Sequence, residues 1–150
     1  MIQRKQTLFL LLAVVLGVVT LCLPVASVYD QGLCTASIYN LLWLDAQGAA
    51  HYDVCYLFVL LLLASSLSLL TVFLYKRRPL QAALCLVDML LFLVWYVALV
   101  VVSKQLSPDA LNFQLALPAA LPAVSIILCF MARKGVVADE RLVRSMDRLR

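Results

Sequence analysis

Asp88 is the one charged residue in LQAALCLVDMLLFLVWYVALVVV, the run from Leu80 to Val102. A helix needs about twenty apolar residues to cross a hydrocarbon core roughly 30 Å thick. An ionised carboxylate in that core costs roughly 2.5–3.5 kcal/mol on insertion scales, so Asp88 needs partners. It stands about nine residues beyond the basic turn Lys76-Arg77-Arg78-Pro79. Counting back from that turn places Ser66 and Ser68 at matching depth, and counting back from Arg133 does the same for Ser125. Hydroxyls facing a carboxyl would form an intramembrane polar cluster. Its functional reading is a proton relay or a ligand-binding carboxylate; its plain reading is a device that fixes helix register. A transporter ordinarily shows more than one such group, which favours register.

Other chemistry-bearing residues form weaker patterns. None of the five cysteines forms a C-x-x-C, the pairing that zinc ribbons and thioredoxin-like chemistry use. Cys22, Cys85 and Cys129 lie in apolar segments, where cysteine behaves as a small hydrophobe. Cys34 and Cys55 fall outside those runs, and a disulfide between them would close a loop of about twenty residues, worth roughly 3 kcal/mol on the chain-entropy model. Free thiols are the competing reading. Four-helix thiol-oxidising membrane enzymes pair their cysteines closely in an outer loop, and this chain does not. His51, Asp53 and Cys55 match metal ligands in residue type alone, and a single histidine argues against both a metal site and a histidine-based catalytic set. No cofactor is expected, and no catalytic constellation is visible.

The tail, RKGVVADERLVRSMDRLR, changes character from Arg133 onward. Gly135 is placed to break the helix. From Asp139 to Arg150, Leu142, Val143, Met146 and Leu149 share one helical face, while Arg141, Arg144 and Arg148 share another. Glu140 and Arg144 stand at i, i+4 with favourable polarity. Arg141, Arg144, Asp147 and Arg148 are therefore candidates for binding anionic headgroups or a protein partner, against a plain solvated helix end. No aromatic residue interleaves these charges for base stacking, so nucleic acid is discounted.

The elements that position these residues are apolar runs. The chain has 150 residues, 65% hydrophobic and 13% charged, which excludes an ordinary water-soluble surface. Four spans are expected, at about 7–28, 54–75, 80–102 and 117–132. The first resembles a signal peptide at its basic start and at Val25-Ala26-Ser27, but its apolar run is longer than a usual signal core, so it reads as a retained helix ending near Pro24. Ala13 with Gly17, and Ala119 with Ala123, are small-residue pairs suited to close helix approach. Pro79 suits the first residue of the third helix, and the short turn makes the second and third helices an antiparallel hairpin. Tyr29 to Asp53 reads as a polar-aromatic loop carrying Trp43, with a short strand or interfacial helix over Ser37 to Leu44. Ser107-Pro108-Asp109 looks like a helix start.

Eleven of the twelve Lys and Arg residues lie at the amino terminus, the central turn and the tail. The positive-inside rule then places both termini in the cytoplasm. The sequence therefore reads as an all-α membrane protein, with a four-helix transmembrane bundle over 1–134 and an amphipathic cytoplasmic helix over 135–150. Its expected partners are the bilayer and a membrane or cytoplasmic protein met through the tail. The function expected is a non-catalytic accessory or partner-binding subunit; the alternative is a small proton-coupled transporter, or a ligand- or lipid-binding bundle, centred on Asp88.

The start MIQRKQTLFLLLA, the turn FLYKRRPLQ and the tail DERLVRSMDRLR together resemble a family of small bacterial membrane proteins numbered 4293 among the domains of unknown function, which occurs in the Bacteroidota. The resemblance covers essentially the whole chain, and the tail is its most specific part. It implies a four-helix inner-membrane protein of a diderm bacterium, with no assigned activity and no catalytic residues to carry over.

Overall fold

The computed structural model describes residues 3–30, 32–74, 77–106 and 113–147, with the side chains of 3–5, 78, 141, 143, 144, 146 and 147 left aside. Each apolar run forms a helix: α1 (Gln3–Cys22), α2 (Cys55–Phe73), α3 (Arg78–Leu106) and α4 (Leu121–Asp147). They pack in a closed order, α1 against α2 and α4, and α3 against the same two. The spans Cys55–Phe73, Pro79–Leu106 and Leu117–Glu140 are long and apolar enough to cross a membrane; the apolar part of α1, Gln6–Cys22, is shorter. Only 33% of each long span's apolar window is buried inside the protein. Leu62, Leu70, Leu90, Leu93 and Val97 instead face outward, more apolar surface than water tolerates on a monomer.

The helices are not the whole fold, and the all-α expectation is corrected. Five short strands form an antiparallel sheet in the order β4-β3-β2-β1-β5: β1 (Ala26–Asp30), β2 (Leu33–Ile38), β3 (Trp43–Asp45), β4 (Ala50–His51) and β5 (Phe113–Leu115). The stretch read as a polar-aromatic loop is mostly sheet. Pro24 explains the boundary: α1 stops at Cys22, two residues earlier, and the chain enters β1 where a longer first span was expected. Ala26 then pairs with Ile38 on one side and Leu115 on the other. Gly48, at φ +79°, makes the turn from β3 to β4, a backbone region closed to most side chains. Ala26 and Val28 of β1 and their register partners Ile38 and Ala36 of β2 are buried, so one face of the sheet joins the core. The core continues through Leu10, Leu57, Leu61, Phe92 and Trp95.

A 3-10 turn over Leu117–Ala120, with Pro118 at its start, leads into α4. Of the Ala119 and Ala123 pair only Ala119 is buried, so that packing motif does not form. The Ser107-Pro108-Asp109 segment lies outside the described residues. At its other end α4 also departs from expectation: it passes through Gly135 without a break. Helix packing is the reason. A Cβ at Gly135 would stand 2.8 Å from Cγ of Gln6, so the glycine lets α1 approach.

Candidate functional site

Asp88 is wholly buried, and two neighbouring helices supply its partners. The Ser68 hydroxyl of α2 donates to Asp88 Oδ2, and Cys129 Sγ of α4 donates to the same oxygen at 3.3 Å. Asp88 Oδ1 is buried and meets no hydrogen-bond partner among the described residues. Cys85, completely buried, lies three residues before Asp88 and so one turn away on the same face of α3. The site is thus one carboxyl, one hydroxyl and two thiols shared among three helices.

Helix geometry explains which expected members are present. Ser66 and Ser68 match Asp88 in depth, but two helical residues are about 200° apart around the axis, so one hydroxyl alone can face it. Ser68 does; Ser66 is exposed and donates to the Leu63 carbonyl of its own helix at 2.9 Å. Ser125 is buried but donates to the Leu121 carbonyl at 3.2 Å, so it too leaves the cluster as a partner of its own backbone. Cys129, one turn further along α4, takes the role expected of it. The sequence signal was available: Cys129 shares the Ser125 face at i, i+4.

The other candidates are dispersed. Cys34 and Cys55 are free and exposed, without the disulfide; Cys34 Sγ instead lies 3.7 Å from the Ala36 carbonyl. His51 stacks on Trp43, with centroids 4.3 Å apart and planes inclined by 17°. Asp53 sits in the exposed turn before α2 and Cys55 begins that helix, so neither joins His51 as a ligand set. In the tail, Arg148 lies outside the described residues, as do the side chains of Arg141, Arg144 and Asp147.

Two further polar contacts went unread in the sequence. At the sheet end, Asn40 is completely buried; its Nδ2 donates to the Thr20 carbonyl at 2.6 Å, and its Oδ1 accepts Trp95 Nε1 at 3.0 Å. At the opposite end, Gln6 Nε2 donates to Asp139 Oδ2 at 3.0 Å, tying the start of α1 to α4 across Gly135. The sequence places Asp139 at the start of a separate amphipathic tail helix; the structure ties it to α1.

The family described as Domain of unknown function (DUF4293) matches residues 2–149. No curated protein matches the chain.

Proposed function

The chain belongs to that family of unknown function, and on this premise we propose an inner-membrane protein of four spans, both termini cytoplasmic, that binds a partner rather than catalyses. One observation supports the reading: α4 continues past the length that a span needs. It runs unbroken for 27 residues, about 40 Å, ten more than a hydrocarbon core of about 30 Å requires. Its last turns therefore leave the bilayer as a rigid continuation of a span. They carry Arg141 and Arg144, followed by Arg148, with Leu142 exposed. A projecting helix anchored at its base suits an accessory subunit contacting an acidic cytoplasmic surface. The orientation follows from eleven of twelve basic residues lying at the ends joined by Gln6 and Asp139 or at the central turn.

Truncation before Arg141 is the test, because it spares the Asp139 contact with Gln6. The accessory reading expects co-purifying proteins to be lost while the membrane domain remains folded; an unchanged set would refute it.

A second reading is favoured by the bare Oδ1 of Asp88. A buried carboxyl oxygen without a donor is rare and calls for a proton, an ion or a mobile partner there. That is what a small proton-coupled carrier centred on Asp88 would use. Asp88→Asn separates the two: a carrier loses flux in proteoliposomes, whereas a register device keeps its fold and its partners.

A further inference from the structure

A groove of about 500 Å³ on α4 is lined by Phe130, Arg133, Lys134, Val137 and Ala138. The spacing i, i+3, i+4, i+7, i+8 places these five on one side of the helix. Lys134 Nζ stands 5.3 Å from the centre of the Phe130 ring. Arg133 Nε is buried and meets no acceptor among the described residues, although a guanidinium N–H is an obligate donor. Counted back from Glu140, where the apolar span ends, Ala138 lies about 3 Å in and Phe130 about 15 Å, with Arg133 and Lys134 about 10 Å deep and long enough to snorkel to the headgroup layer. We propose that the groove binds the phosphate of an anionic phospholipid, with Arg133 and Lys134 on the phosphate, Val137 and Ala138 beside them on the headgroup side, and Phe130 against the glycerol and upper acyl chain. The Arg fork matches a phosphodiester, and an open groove with an apolar floor at this depth faces lipid before it faces solute. The assignment rests on the membrane-spanning reading and adds a ligand to it. Its two cations, Arg133 and Lys134, stand seven residues or more before Arg141.

The test is a titration of the full chain in nonionic detergent, read by native mass spectrometry. Its probes are short-chain phosphatidylglycerol, phosphatidylcholine of the same chain length, and soluble glycerol phosphate. Phosphatidylglycerol should bind at a single site at least about tenfold more tightly than phosphatidylcholine, with glycerol phosphate failing to compete. Arg133→Gln with Lys134→Gln should weaken it roughly thirtyfold, and Lys134→Gln alone roughly fivefold. Arg141→Gln with Arg144→Gln should change nothing. Lys134 is exposed, so its variant decides the matter if Arg133→Gln fails to fold. Equal binding of the two lipids, undiminished binding by the Lys134 variant, or equal loss from the tail variant would overturn the site. Competition by glycerol phosphate would overturn the lipid assignment in favour of a soluble phosphate. Release of the chain from membranes by alkaline carbonate would instead remove the membrane reading, and is measured before any lipid is added.

Discussion

Removing the two donors to Asp88 one at a time and together tests whether the carboxyl locks three helices. Hydrogen bonds between membrane helices average about 0.6 kcal/mol and reach about 1.7. The Ser68 hydroxyl is the stronger donor, so Ser68→Ala should cost about 1.5 kcal/mol. Cys129 offers a weak S–H at 3.3 Å, and Cys129→Ala should cost about 0.5 kcal/mol from the bond. Both donors share one oxygen, so the effects should not add. After either single change Oδ2 keeps one partner; after both it keeps none, beside an Oδ1 already bare. A buried acceptor stripped of its last donor costs about 1–3 kcal/mol, so the double variant should lose roughly 3–5 kcal/mol against a sum of about 2. The assay is equilibrium unfolding in mixed micelles with rising dodecyl sulfate, followed by tryptophan fluorescence. A double variant no worse than the sum of the singles would refute the shared-acceptor argument. Singles without effect would remove the lock altogether.

Three other expectations follow from particular contacts. Trp95→Phe keeps an aromatic ring but strips Asn40 Oδ1 of its donor, and should cost about 1–3 kcal/mol in the same unfolding assay. Gly135→Val should destabilise by about 1–3 kcal/mol, because its side chain must displace Gln6, although helix propensity alone predicts a gain over glycine; increased stability would show that the α1 and α4 contact is slack. A membrane-impermeant maleimide should label Cys34 and Cys55 in intact cells and spare Cys85 and Cys129. Replacing the first two with serine, together with Cys22, which is also free and exposed at the end of α1, should abolish that signal, and labelling only after permeabilisation would reverse the orientation.

The helices were legible because apolar runs of this length leave few alternatives, and Asp88 because no other charge interrupts its run. The sheet was not. Its strands are only two to six residues long, too short for alternation to stand out, and β5 joins β1 from a distant part of the chain. Depth could be counted from the basic turn, but rotation around each helix could not, which is why Ser66 and Ser68 looked equivalent. Cys129 was passed over because a thiol among leucines reads as a small hydrophobe. Gly135 was misread in the opposite sense: its missing side chain serves a neighbouring helix rather than a helix end.

For helices exposed to lipid, apolar packing fixes position weakly, since a leucine meets acyl chains as readily as another leucine. Polar contacts at successive depths must then set the register. Asn40 gathers α1 and α3 at the sheet end, Asp88 joins α2, α3 and α4 midway, and Gln6 with Asp139 closes α1 on α4 at the far end. Helix α4 belongs to the second and third of these contacts, and its final turns lie just beyond the third. Loosening the Gln6 contact should therefore free the projecting arm before it loosens the membrane core. Gln6→Ala should thus increase proteolysis after Arg141 while the unfolding midpoint falls by about 1 kcal/mol equivalent or less. Equal loss of protection around Asp88 and in the arm would mean that the two move as one body, and that Gln6 does not anchor the arm separately.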